Sequence, residues 1–257
     1  MPLAFTRAVS PRIVDCALTH LDRRPIDPVR AASQHAAYEE ALMDAGYNVI
    51  RLPGLADDPD AVFVEDTAIL LGDHAIITRP GAASRAGEIY STAEGLKSHF
   101  TVHFLSNGTL DGGDVLRIEN TLYVGQSSRT DAAGAQALEA KVSPLGFWVV
   151  PVELDRCLHL KTAVTFAGLD NRGVPTVIAN TDWIDPDLFS GAEVLPVAPD
   201  EPFAANVVLA GDRLIMAAGS PKTVARLRKR GFIVVELDLS ELQKAEAGGT
   251  CMSLLSD

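Results

Sequence analysis

The chain has 257 residues and a formal net charge of −12, with 34 acidic against 22 basic side chains and 47 % hydrophobic residues. That charge opposes nucleic acid and would steer a cationic ligand; no apolar run reaches bilayer length; and three scattered cysteines, Cys16, Cys157 and Cys251, are no disulfide framework. Because the opening Met1-Pro2-Leu3-Ala4-Phe5 lacks a basic start and an apolar stretch, the expectation is a cytoplasmic protein with no membrane partner.

In chain order, a strand is expected near 5–9. A helix follows, capped by Asp27 with Pro28 at its first position and stopping at Gly46. Gly46-Tyr47-Asn48-Val49-Ile50-Arg51-Leu52 then opens a phrase of alternating β-formers that returns at Ser98, Gly146, Gly191 and Gly231, roughly every 46 residues. Helices are expected over 84–98, 130–143 and 220–230, with hardly more than a turn over 185–190. Hairpins are expected where Gly72-Asp73, Glu119-Asn120 and Gly211-Asp212 separate apolar runs, the first of them pairing 62–71 with 74–78. Each unit reads strand, hairpin, helix. The N-terminal strand and helix supply what the fifth unit lacks, so the two ends of the chain would close a ring and remove exposed sheet edges. One α/β domain spanning 1–257 is expected.

Laid in register, the units place Asp66, Asp111, His159, Asn206 and Cys251 at equivalent positions, 45, 48, 47 and 45 residues apart. Equivalent positions of a closed ring converge near its axis. Cys251 follows Gly248-Gly249-Thr250 and is a candidate nucleophile, although an isolated cysteine also serves as a small buried hydrophobe. His159 would be its acid and base, or a satisfied core histidine; Asp111, in Asp111-Gly112-Gly113-Asp114, would orient it, or simply shape a turn. Adjacent Glu65 and Asp66, just inside an apolar strand, need a cation, and a planar guanidinium matches two carboxylates. Cys157 and His159 have no second ligand pair at zinc spacing, so no metal is expected.

Asp60-Ala61-Val62-Phe63-Val64-Glu65-Asp66, Arg79 through Arg85, and Leu110 through Leu116 resemble the dimethylarginine dimethylaminohydrolase family. So do Ser128-Arg129-Thr130, Leu158-His159-Leu160-Lys161, Ala204-Ala205-Asn206 and Lys244 through Ser253, in the family's order. The resemblance implies the pentein fold, a five-bladed α/β propeller with pseudo-fivefold symmetry, and hydrolysis of N-omega-methylated arginines to citrulline and a methylamine through a covalent intermediate on Cys251, with no cofactor. It implies Cys251 as nucleophile, His159 as acid and base, and Asp111 supporting His159. Glu65 and Asp66 would hold the guanidinium with Phe63 beside it. Arg85 and Arg129 would take the substrate carboxylate and Asp60 its α-amino group, with the Ala245 carbonyl and Leu18 of an N-terminal lid completing the grip. Thr162, Asp111 and Gly249 differ from residues found in some relatives and leave substrate preference open. A homodimer is the assembly considered. The alternatives are another guanidine-modifying enzyme, such as an arginine deiminase or amidinotransferase, and a non-catalytic ring resembling a ribosome-binding initiation factor.

Overall fold

Four of the five repeat-opening residues are glycines for a backbone reason. Gly46, Gly146, Gly191 and Gly231 each follow a helix or helical turn and adopt φ between 87° and 103°, a left-handed conformation that side chains resist. The chain then turns directly into a strand. The computed structural model describes residues 1–256.

The first unit runs β1 (Leu3–Thr6), α1 (Pro28–Asp44) and β2 (Asn48–Arg51). The second has β3 (Ala68–Leu71), β4 (His74–Ile77), α2 (Glu88–Leu96) and β5 (Thr101–Phe104), and the third β6 (Val115–Ile118), β7 (Thr121–Gln126), α3 (Ala132–Val142) and β8 (Trp148–Glu153). A one-turn α4 (Leu160–Ala163) leads into β9 (Val164–Leu169), β10 (Pro175–Ala179) and β11 (Glu193–Pro196), with only a 3-10 turn, Pro186–Leu188, in place of a long helix. The last elements are β12 (Val207–Ala210), β13 (Arg213–Ala217), α5 (Pro221–Lys229), β14 (Ile233–Leu237), α6 (Ser240–Gln243) and β15 (Leu254–Leu255).

These strands form five three-stranded sheets, in the orders β15-β1-β2, β3-β4-β5, β6-β7-β8, β9-β10-β11 and β12-β13-β14. In every sheet the inner strand runs antiparallel to the middle one, and the middle strand runs parallel to the outer one. This is the five-bladed α/β propeller that the resemblance implies, and the closed ring expected from the repeats. The ring closes where β15 pairs with β1, Ala4 opposite Leu255 and Phe5 opposite Leu254. Inner strands of neighbouring sheets touch, β15 with β3, β6 with β9 and β9 with β12. Five apolar clusters fill the blades; in one, fully buried Phe5 meets Leu254, Leu52, Ile77 and Leu96, joining both ends of the chain to the second unit. Each such side chain contributes about 1.5–3 kcal/mol by leaving water.

α1 starts as expected, with the Asp27 carboxylate accepting the amides of Val29 and Arg30 and Pro28 at the first position. Two expectations need correction. The first strand lies at Leu3–Thr6 rather than 5–9. The strand expected over 62–71 begins only at Ala68, because Val64–Thr67 coil into a 3-10 turn closed by the Thr67 hydroxyl on the Val64 carbonyl at 2.6 Å. The fourth hairpin, β9 with β10, has no two-residue turn signal; the Asp170 carboxylate instead accepts the amides of Arg172 and Val174 to shape a longer loop. Among the described residues no helix is long and apolar enough to cross a membrane.

Candidate active site

The inner strand of each unit runs in the same sense, so all five strand starts meet at one mouth of the ring. Asp66 lies in the 3-10 turn before β3, Asp111 just before the Gly112–Asp114 turn that leads into β6, and His159 immediately before α4 and β9. Asn206 directly precedes β12, and Cys251 lies in the Thr250–Met252 turn before β15. Residues separated by up to 185 positions therefore share one small volume.

His159 is buried, with Nε2 3.0 Å from Asp111 Oδ2 and 3.9 Å from Asp66 Oδ1. Burial alone would lower its pKa, but the Asp66 charge, the Asp111 hydrogen bond and buried Asp114 together push it up to about 9, so the ring is an imidazolium at neutral pH. Asp111 is fixed in turn: the Gly81 amide donates to its Oδ1 at 2.8 Å, and its own amide donates to the Thr130 hydroxyl at 3.1 Å. Asp66 accepts the Gly113 amide at 3.1 Å and Arg85 Nη1 at 2.5 Å. Desolvation opposes its ionised form, but His159 and Arg85 outweigh that and hold its carboxyl below the usual range.

Cys251 faces the same cavity, its sulfur accepting the Gly248 amide at 3.4 Å. Burial, then the charges of Glu65 and Asp66, push its thiol up to about 12, so it stays protonated while no cation is bound beside it. Asp60, Phe63, Asp66, Arg85, Arg129, His159, Ala245 and Cys251 all line this cavity, which is about 30 Å³. Ala17, Leu158, Glu246 and Ala247 also line it. None of these four stands among the residues inferred from the sequence, although Leu158, Glu246 and Ala247 lie inside motifs that carried the resemblance.

Three inferred residues lie off the cavity: Asp111, buried behind His159 as expected of a supporting group, and two others. Glu65 was expected to share a guanidinium with Asp66, yet its carboxylate accepts Lys161 Nζ and the Thr250 hydroxyl, each at 2.7 Å, toward the opposite mouth of the ring. The 3-10 turn is the cause: with three residues per turn, successive side chains point about 120° apart. Leu18 packs against the apolar cluster beneath α1, and its neighbour Ala17 meets the cavity instead, donating its amide to Asp60 at 3.2 Å. Arg85 lines the cavity but is committed to the wall. Its Nε and Nη2 donate to Glu88 at 3.0 and 2.8 Å, and Nη2 also to the Phe63 carbonyl at 2.7 Å. Arg129 is freer, with Nη2 on the Thr19 hydroxyl at 3.1 Å.

The segment 17–21 covers the cavity. Glu246, at φ 60°, holds it through the backbone amides of Thr19, His20 and Leu21. Asp66, Asp111 and His159 also bring three potential metal ligands within 4.8 Å of one another. Their chemistry suits a cation poorly. Both Asp66 oxygens and both Asp111 oxygens already accept hydrogen bonds, and the Arg85 guanidinium and the His159 imidazolium compensate the charge a divalent ion would need.

No protein-family model matches the chain. It is 42 % identical over 256 residues to the N(G),N(G)-dimethylarginine dimethylaminohydrolase of Streptomyces coelicolor, covering 98 % of this chain and 95 % of that one. It superposes with a TM-score of 0.91 and 32 % identity on DDAH from Pseudomonas aeruginosa, a cysteine-to-serine mutant complexed with citrulline, over 98 % of both chains. A dimethylarginine dimethylaminohydrolase with histidine replaced by glycine, in an adduct with S-methyl-L-thiocitrulline, gives 0.90 at 32 % identity over 99 % of this chain and 100 % of that one.

Proposed function

The chain belongs to the dimethylarginine dimethylaminohydrolase family, and from that premise we propose that it hydrolyses N-omega-methylated arginines to citrulline and a methylamine, using Cys251 as a covalent nucleophile. The observation that carries this reading is the meeting of a thiol, a carboxylate-backed imidazolium and a buried carboxylate on one cavity. The citrulline and S-methyl-L-thiocitrulline held by relatives with the same fold support the substrate class.

Asp66 receives the guanidinium, anchored by Arg85, with Phe63 packed beside the planar group. The bound cation offsets the carboxylates that keep Cys251 protonated, so the thiol loses its proton to water as substrate binds. The thiolate attacks the guanidinium carbon, and the His159 imidazolium gives its proton to the departing amine. Now neutral and held by Asp111, His159 takes a proton from water, and the hydroxide adds to the S-alkylthiouronium carbon. The carbon–sulfur bond breaks, and the new hydroxyl's proton passes to the departing Cys251 sulfur, which releases citrulline and restores the thiol. Arg129 takes the substrate carboxylate and Asp60 the α-amino group. A cavity of about 30 Å³ holds about one water, so the 17–21 segment opens to admit substrate and then excludes solvent.

The deciding assay offers asymmetric dimethylarginine, monomethylarginine and arginine separately and follows citrulline, methylamines and ammonia. Release of dimethylamine and methylamine is expected. Ammonia from arginine, with neither methylamine from the other two, overturns the reading in favour of a deiminase.

A further inference from the structure

We propose that Asn206 is a positioning residue for the reaction, an amide clamp that fixes the turn bearing Cys251 against the segment bearing His159. Asn206 holds the one register position among the five without a nucleophile, acid or base. Its amide joins the two halves of the thiol–imidazole pair. Oδ1 accepts the Thr250 amide at 3.1 Å, while Nδ2 donates to the Thr250 hydroxyl and to the Lys161 carbonyl, both at 3.0 Å. Thr250 immediately precedes Cys251, and Lys161 is two residues beyond His159.

The clamp also reaches the sulfur through Gly248. A Cβ at Gly248 would lie 2.2 Å from Asn206 Cγ and Oδ1, so this backbone rests directly on the amide. The Gly248 N–H in turn donates to Cys251 Sγ at 3.4 Å. The circuit closes below the thiol: Thr250 donates to Glu65, Glu65 pairs with Lys161, and the Lys161 carbonyl accepts from Asn206. One acceptor and two donors are required here, which asparagine supplies from a single rigid plane. Aspartate keeps the acceptor, loses both donors, and adds a third carboxylate near a thiol already within the electrostatic reach of Glu65 and Asp66. Misplacing a reacting group by about 1 Å costs on the order of 10²-fold in rate, which sets the effect expected of a clamp.

The turnover arm of the test rests on the proposed reaction; the thiol arm does not. Asn206→Ala and Asn206→Asp are compared with the unmodified protein in three measurements: kcat and KM on dimethylarginine, the rate of Cys251 alkylation by iodoacetamide between pH 7 and 10 followed by mass spectrometry, and the melting temperature. Asn206→Ala is expected to lower kcat about 10²-fold with KM changed less than about threefold, at a temperature where it remains folded. Asn206→Asp is expected to lower kcat similarly and to slow alkylation at pH 9 about tenfold, because the added charge disfavours the thiolate. A kcat within threefold of the unmodified value in either folded variant overturns the clamp. Loss of folding in both variants also overturns it, by giving Asn206 a purely architectural role. If the unmodified protein does not turn over dimethylarginine, the reaction reading fails, and unchanged alkylation in Asn206→Asp then decides against the clamp on its own.

Discussion

The two mouths of the ring are built from the same five inner strands and differ in almost everything else. At the strand starts, Asp66, His159 and Cys251 crowd a cavity of about 30 Å³ under a tethered segment, with Asp111 behind His159. Further along, β3, β6, β9, β12 and β15 line an open well of about 260 Å³ that is largely aliphatic. Glu65 paired with Lys161 forms the floor between them. The difference shows how one repeated unit produces a small polar site at one end only: strand interiors pack apolar side chains toward the axis, whereas the turns before them bring polar groups whose backbone partners are already in place.

The sharpest way to break the contrast is to remove the thiol. Cys251→Ala is expected to lose at least about 10³-fold in citrulline formation and to show no substrate adduct by mass spectrometry; full turnover in this variant would remove chemistry from that mouth. His159→Ala follows, with kcat lower by about 10²–10⁴-fold while calorimetric titration still detects substrate binding.

The adjacent acids test the floor itself. Asp66→Asn is expected to raise KM roughly 10²-fold, since a charge-assisted contact to a cation is worth about 1.5–3 kcal/mol. Glu65→Gln is expected to shift KM less than about threefold and instead to lower the melting temperature by a few degrees, about 1 kcal/mol, by leaving Lys161 unpaired. Equal KM effects from both variants would mean that the two faces are not separated at this point.

A further test concerns pH. His159 rises from 6.5 to about 9 on folding, so the folded protein holds a proton that the unfolded chain releases across that interval. Its contribution to stability is full below pH 6.5 and is lost as pH rises through 9. Urea midpoints should therefore fall between pH 7 and 9.5, and His159→Gln should flatten that decline.

The ring and its register were legible because they rest on signals with a period. Left-handed glycines end helices, Asp27-Pro28 starts one, and two-residue turns join strands, each leaving a mark that returns about every 46 residues. The meeting of Asp66, Asp111, His159 and Cys251 follows from that period alone. What stayed hidden depends on the direction of single side chains. A 3-10 turn sends Glu65 and Asp66 to opposite mouths, and Glu88 in the next helix holds Arg85 in the wall. The hold of Glu246 on 17–21 joins segments more than 220 residues apart through backbone amides that carry no residue-type signature.

The seam between β1 and β15 is only two residue pairs wide, and Cys251 lies three residues before it. During synthesis the other four register positions leave the ribosome first, and the thiol emerges last. A nascent chain can thus shape its blades while the Cys251 sulfur is still unmade, and the proposed chemistry becomes possible only as the seam zips shut. Catalytic competence would then report completion of the circle, much as a clasp shows that a bracelet has been fastened.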